Sequence, residues 1–413
     1  MIIMATIFFI GYFLITIEHY TKVNKSAIAL LMAILCWIAQ FKNGEFISQF
    51  DQHLIGISQI VFFILGALSI VELISAHKGF SIISNLISVG FKRRLLWITC
   101  LITFFLSAVL DNLTTTIVMV TLLMRLIPKG EDRLLIGSGI VVAANAGGAW
   151  TPIGDVTTTM LWIGGQISTL SIMSSLFLPS FVCFAIATLG ISYYLKGEFK
   201  TTDVIKENIE PKGELIFILG ICSLIFVPIF KLITGLPPFM GVLFGLGSLW
   251  LISDLLHKKY EERFHLRMPH VLSKIDLSGA LFFLGILLCV GALETSGLLH
   301  QFAASLSASL PNLEVVAIVL GLVSAVVDNV PLVAAAMSMY DVKVIAQDHS
   351  FWQMVAYAAG TGGSLLIIGS AAGVVFMGLE KVDFIWYAKK ITLPAAMGFF
   401  AGIGVLYLQN MIF

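Results

Sequence analysis

Charge is scarce in this sequence. Only 12% of its 413 residues are Asp, Glu, Lys or Arg, and 58% are hydrophobic; a soluble domain carries about twice that share of charge. An ordinary water-soluble globule is excluded, and most of the chain belongs in lipid. The formal net charge is zero, so no basic field is available to hold a nucleic acid. The cysteines Cys36, Cys100, Cys183, Cys222 and Cys289 stand singly in apolar stretches with no CxxC pair. That excludes a disulfide framework and a structural zinc site and leaves them as small buried hydrophobes. There is no HExxH and no glycine-rich phosphate loop, so metalloprotease and nucleotide-driven pump readings find no support. No cofactor is expected, and the chain does not read as an enzyme. The apolar stretch Met1–Ile17 lacks a basic n-region and reads as a first membrane helix, not a cleaved signal.

What is present is a series of apolar runs. Crossing the hydrocarbon layer takes about 20 residues. Candidate crossings lie near 2–17, 27–41, 55–75, 134–164 and 176–195, and again near 214–230, 236–256, 276–299, 351–379 and 391–409. Between the third and fourth member of each set lies another apolar stretch, 95–127 and 313–338. Each carries the same phrase at its middle: Ser107-Ala108-Val109-Leu110-Asp111-Asn112 recurs as Ser324-Ala325-Val326-Val327-Asp328-Asn329. A carboxylate inside the bilayer costs at least ~2.5 kcal/mol on insertion scales. Carrying that cost twice in matching contexts points to a duplicated transporter with a cation or proton site near mid-membrane.

The basic residues decide how the two stretches run. If both are hairpins that return to the side they left, each half crosses five times and the second half is inverted. Then 21 of the 24 Lys and Arg residues fall on one side, and only Lys42, Lys231 and Lys343 on the other. That is a strong positive-inside signal. The expected fold is therefore an all-α membrane protein built as an inverted repeat. Residues 1–195 and 214–413 form the halves, each with five transmembrane helices and one re-entrant hairpin, joined by a cytoplasmic linker at 196–213. Both termini lie outside the cytoplasm in this scheme, and the membrane is expected to be a bacterial inner membrane. His19, His53, His77 and His300 read as solvated surface.

Residues 145–159 carry the densest chemistry: Asn-Ala-Gly-Gly-Ala-Trp-Thr-Pro-Ile-Gly-Asp-Val-Thr-Thr-Thr. Three glycines and Pro152 inside a span predict a broken helix, whose freed backbone groups must find partners or line a cavity. Gly147, Gly148 and Gly154 recur as Gly362, Gly363 and Gly369, each 215 residues later, so 351–379 is expected to break too. Gly360, Gly362, Gly363, Gly369 and Gly373 are expected to loosen that second helix. Close helix packing is the plainer reading of such glycines. Hard cations take oxygen ligands. Candidate oxygens are Asp111, Asn112, Thr114, Asn145, Asp155, Thr157 and Thr158 from the first half, and Ser324, Asp328, Asn329, Thr361, Ser364 and Ser370 from the second. The halves are unequal, because no acid stands near Ser370 to match Asp155. Glu72 and Glu294 are candidates for a proton relay, with interfacial anchoring as the plainer role.

At Ser107–Thr116, Asn145–Thr159 and Ser324–Asn329 the sequence resembles sodium/proton antiporters of the NhaD type. Their superfamily of ion transporters also contains dicarboxylate and arsenite carriers. The resemblance spans nearly the whole chain. It implies a scaffold part that forms a homodimer and a transport part that moves like an elevator. Related carriers place Ser-Asn-Thr at both hairpin tips, where Asp111-Asn112 and Asp328-Asn329 stand here. Two acids at the tips suit exchange of cytoplasmic Na+ or Li+ for external H+, with Asp111 and Asp155 as the primary shared site and Asp328 completing it. Three alternatives stay open. They are an oxyanion or dicarboxylate carrier, a sodium-coupled symporter, and an intramembrane aspartyl protease using Gly154-Asp155 and Tyr340-Asp341.

Overall fold

The computed structural model describes residues 2–16, 23–40, 47–84, 90–199, 209–310, 312–340 and 342–412. His19, Asp341 and residues 200–208 of the expected linker lie outside the described residues, as do the side chains of Arg125 and His300. Among the described residues the fold is all-helical, and its one β feature is an isolated bridge between Phe91 and Glu198.

In chain order the principal helices are α1 (Ile2–Thr16), α2 (Lys25–Gln40), α3 (Ile47–Ala76), α4 (Lys92–Leu110), α5 (Asn112–Leu126) and α6 (Glu131–Gly148). They continue with α7 (Val156–Ile163), α8 (Thr169–Ser192), α9 (Gly213–Thr234), α10 (Pro238–His257), α11 (Leu277–Thr295) and α12 (Leu298–Ser309). The last are α13 (Leu313–Val323), α14 (Asn329–Met339), α15 (Ser350–Gly362), α16 (Ala371–Glu380) and α17 (Thr392–Ile412). Among the described residues, seven helices are long and apolar enough to cross a membrane: α3, α4, α8, α9, α10, α11 and α17. This is a multi-pass membrane protein. One of the seven, α4, is the first arm of the expected hairpin, so its length alone would let it cross. Lys92 Nζ, at the start of α4, lies 2.6 Å from Asp132 Oδ2, just beyond the end of α5. The segment from 92 to 132 therefore starts and finishes at one place.

Four of the helices restart after an interruption, and each restart is capped by a side chain on its first free N–H groups. Asp111 caps α5, Asp155 caps α7, Asp328 caps α14 and Ser370 caps α16. The two long interruptions fall at 149–155 and 363–370. Gly360 and Gly362 still lie within α15 and Gly373 within α16, so those three do not unwind their helix. Their role is close approach. A Cβ on Gly147 would run into the Phe104 carbonyl of α4, and one on Gly362 into the Gly321 carbonyl of α13. Ser107 Oγ donates to Ala144 O at 2.6 Å, and Ser324 Oγ to Ala359 O at 3.0 Å. The same contacts thus join α4 to α6 and α13 to α15. Past the breaks the partners cross over: α7 packs on α14, and α16 packs on α5. Neither half closes its own site.

Backbone has no flexible end to bend away, so Gly147→Ala is expected to cost about 1–3 kcal/mol through overpacking. In a detergent thermal melt its midpoint should fall. Gly247→Ala, with nothing within 4 Å of the added carbon, should not lower the midpoint, and as an alanine inside a helix should raise it slightly.

A second packing unit surrounds α11. Ser26 Oγ donates to Ser278 O at 2.7 Å, and Trp37 Nε1 to Leu288 O at 2.9 Å. These bonds pin α2 along α11. Four of the five cysteines are buried as expected and Cys222 is exposed; Cys36 and Cys289 meet with their sulfurs 3.6 Å apart. His77 is not solvated surface. It is fully buried, with Nε2 3.0 Å from His257 Nε2, and burial pushes its imidazole below the ordinary histidine range. His53 lies against Trp37 and bonds Thr295 Oγ1 at 3.2 Å.

Candidate functional site

The interruptions converge on Asp155. Thr151, in the break before it, donates to Ala108 O at 2.6 Å, and Thr159 donates to Pro152 O at 2.9 Å. These bonds satisfy backbone groups freed by the break and hold the cap residue in place. Asp155 is 1% exposed. One carboxylate oxygen accepts from Thr157 N at 2.8 Å and from Thr157 Oγ1 at 2.7 Å. The other accepts from Asn112 Nδ2 at 2.6 Å and from Asn329 Nδ2 at 3.4 Å. Both Asp-Asn phrases therefore send their asparagine to one carboxylate, and four donors aimed at it suit the charged form.

A neutral network extends from there. Asn112 Nδ2 also donates to Asn145 Oδ1 at 3.0 Å. Asn145, fully buried, donates to Ser364 Oγ at 2.8 Å and to Ser370 Oγ at 2.9 Å. Ser370 caps α16 as Asp155 caps α7, so the missing acid of the second half is replaced by a hydroxyl that does the same local task.

Asp111 and Asp328 face the same cavity, which is also lined by Asn112, Asp155, Thr159, Asp276 and Asn329. Asp111 accepts from Thr114 N and Thr114 Oγ1, each at 2.8 Å. Its backbone stands at φ 87°, ψ 156°, a region that residues other than glycine occupy only at a cost of about 1–3 kcal/mol. The two Thr114 bonds hold it there, and the strain sits at the cavity wall. Asp328 Oδ1 accepts from Val330 N at 3.4 Å, and Oδ2 lies 3.9 Å from Lys25 Nζ.

Other candidates fall outside this arrangement. Thr158, Thr361 and Ser324 spend their hydroxyl hydrogens on the carbonyls of Asp155, Tyr357 and Ala359. Glu72 and Glu294 are not among the residues that line the cavity. Thr159 and Asp276, which do line it, were not expected there. Among the described residues, no three His, Cys, Asp or Glu side chains converge as a metal cluster. The lining contains four aspartates and, among the described residues, no Lys, Arg or His.

Comparison with known proteins gives the family. The citrate transporter family model, CitMHS, matches residues 12–362. The chain is 51% identical over 419 residues to sodium/proton antiporter 1 of Arabidopsis thaliana, covering 99% of this chain and 73% of that protein. It is 50% identical to sodium/proton antiporter 2 of the same plant, covering 97% of each. The Na(+)/H(+) antiporter NhaD of Vibrio cholerae is 32% identical over 442 residues, with 98% of this chain and 91% of that protein covered. With the family model spanning most of the chain and these relatives aligned nearly end to end, the chain belongs to the CitMHS family and, within it, to the NhaD-type sodium/proton antiporters.

Proposed function

We propose that this chain exchanges cytoplasmic Na+ or Li+ for external H+ at Asp155, with Asp111 and Asp328 on the approach. The observation that carries this reading is the Asp155 carboxylate, held by one asparagine from each Asp-Asn phrase. Asn112 and Asn329 spend their amide hydrogens on it, which leaves their amide oxygens for a cation. A proton and a sodium ion then compete for the same oxygens, so the site carries one or the other. Exposed to each side in turn, such a site is an antiporter.

The inverted-repeat reading belongs to the same proposal. The paired contacts of Ser107 and Ser324, and of Gly147 and Gly362, are those expected of two related halves, 1–195 and 214–413. The meeting of Lys92 with Asp132 supports a hairpin that enters from the cytoplasm. The ion pairs Lys390–Glu131 and Lys78–Glu210 join segments that the charge count puts on that same side. Asp348, bonded to Ser168 N at 2.6 Å, joins two loops assigned to the other side, where both termini would lie. Asp276 begins α11 next to the basic loop, so the cavity runs from Asp155 toward the cytoplasm.

The description of the matching family favours one other reading, an anion carrier for citrate. Four aspartates in the lining speak against it, because a polycarboxylate would meet mainly like charge. The test is the transmembrane pH gradient of inside-out vesicles from cells lacking other antiporters. Added sodium or lithium should collapse the gradient, and Asp111→Asn should abolish that response. A response to citrate or a dicarboxylate alone would transfer the assignment to the anion carriers.

A further inference from the structure

We propose that Lys25 is a tethered competitor for the transported cation: its ammonium occupies Asp328 until sodium displaces it, and so sets the affinity of the site for sodium. The inference rests on the antiporter reading and adds to it a residue that the repeated phrases do not contain.

The position of Lys25 is built. Asn24 Oδ1 accepts from Ser26 N at 2.8 Å, which caps the start of α2. Asn24 Nδ2 donates to Ser278 Oγ at 2.9 Å, and Ser26 Oγ to Ser278 O at 2.7 Å. Lys25 lies between these two clamps. Its stem passes Phe282 of α11, with Nζ 4.4 Å from the ring centroid, and its head lies 3.9 Å from Asp328 Oδ2. The backbone is fixed to α11 at Ser278, two residues from Asp276 in the cavity wall, while the amine reaches the tip between α13 and α14. The pair thus bridges the α2–α11 unit and the site. Both side chains keep some contact with water, at 26% and 16% exposure.

Three physical consequences follow. An ammonium and a sodium ion carry the same charge, so Asp328 cannot pair fully with both. At 3.9 Å the contact is loose, longer than the 2.7–2.9 Å of a tight charge-assisted hydrogen bond, so exchange of partners needs little rearrangement. A displaced Lys25 amine can swing to water on its four-carbon stem without moving α2. An interfacial anchor would also place a lysine at a helix start, but it would not answer to sodium.

The experiment uses the full chain in inside-out vesicles. Lys25 is modified with an amine-reactive reagent at rising sodium concentration, and the modified peptide is quantified by mass spectrometry. Exchange is measured in the same vesicles. Modification of Lys25 should rise with sodium over the concentration range that drives exchange. Lys25→Met keeps the stem on Phe282 and should lower the half-saturating sodium concentration roughly fivefold, the scale of a partly exposed ion pair. In an Asp328→Asn background the same substitution should change nothing further. Sodium-driven exchange with flat modification of Lys25, or an unchanged half-saturating concentration in a folded Lys25→Met protein, overturns the role of Lys25 and leaves the antiporter intact. Absence of cation-driven exchange in the unsubstituted protein overturns the antiporter reading itself.

Discussion

Replacing Asp155 by serine should abolish sodium-driven proton exchange while leaving a folded protein. Serine is what the second half already has at the matching place, since Ser370 caps α16 through Gly373 N. A serine at 155 can cap α7 in the same way, with helix-cap stability close to that of aspartate. What it removes is the charge, together with the oxygen that accepts from Asn112 and Asn329. A carboxylate about 4 Å from a cation contributes roughly 4 kcal/mol at an effective dielectric near 20, which corresponds to roughly a thousandfold in binding. Asp155→Asn should lose exchange as well. With its oxygen on the Thr157 cap, its amide would turn two hydrogens toward Asn112 Nδ2 and Asn329 Nδ2, leaving buried donors opposed at about 1–3 kcal/mol. Serine has no second oxygen for those two amides either, so both variants are expected to lose transport and to melt below the unsubstituted protein. Vesicle exchange and a detergent melt read the two separately. Substantial exchange by either folded variant would take Asp155 out of the site and leave Asp111 or Asp328 as its centre.

The sequence and the structure agree where the signal is local. A charged phrase inside an apolar run marks a break whatever its partners are, so Asp111, Asp155 and Asp328 are visible from spacing alone. Their partners are not. Asn112 and Asn329 reach Asp155 across 43 and 174 residues, and nothing in either phrase states that they share a target. Side-chain direction is equally hidden. Thr157 and Thr158 are neighbours of the same type, yet one hydroxyl faces the carboxylate and the other a backbone carbonyl, because adjacent residues on a helix point about 100° apart. Lys25 counts in the sequence as one basic residue among 21 on its side; only the α2–α11 clamp makes it a neighbour of Asp328. Glycine patterns show a third limit. They mark both flexible breaks and close packing, and Gly360 and Gly362 belong to the second kind.

Arg133 shows the same limit. In the sequence it is one more cytoplasmic charge after the first hairpin. In the structure it is buried. Its guanidinium donates to Ile127 O at 3.1 Å and lies 2.9 Å from Glu380 Oε2, with 8% and 1% of the two side chains exposed. This ion pair ties the start of α6 to the end of α16. Arg133 Nε and Glu380 Oε1 have no hydrogen-bond partner, so the pair is not fully compensated for its lost hydration. Removing one member leaves the other as a lone buried charge, at a cost of about 3–5 kcal/mol. Glu380→Gln should therefore lower the thermal midpoint and the amount of folded protein in the membrane more than any substitution at the cavity. The double substitution Arg133→Met with Glu380→Leu should recover most of that stability, since both charges leave together. If the pair also keeps α6 and α16 in step as the site changes sides, the double variant will be stable and slow in exchange. Stability without loss of rate would make the pair a fastener only. Glu380→Gln with an unchanged midpoint would show that the charge is not buried in the folded protein.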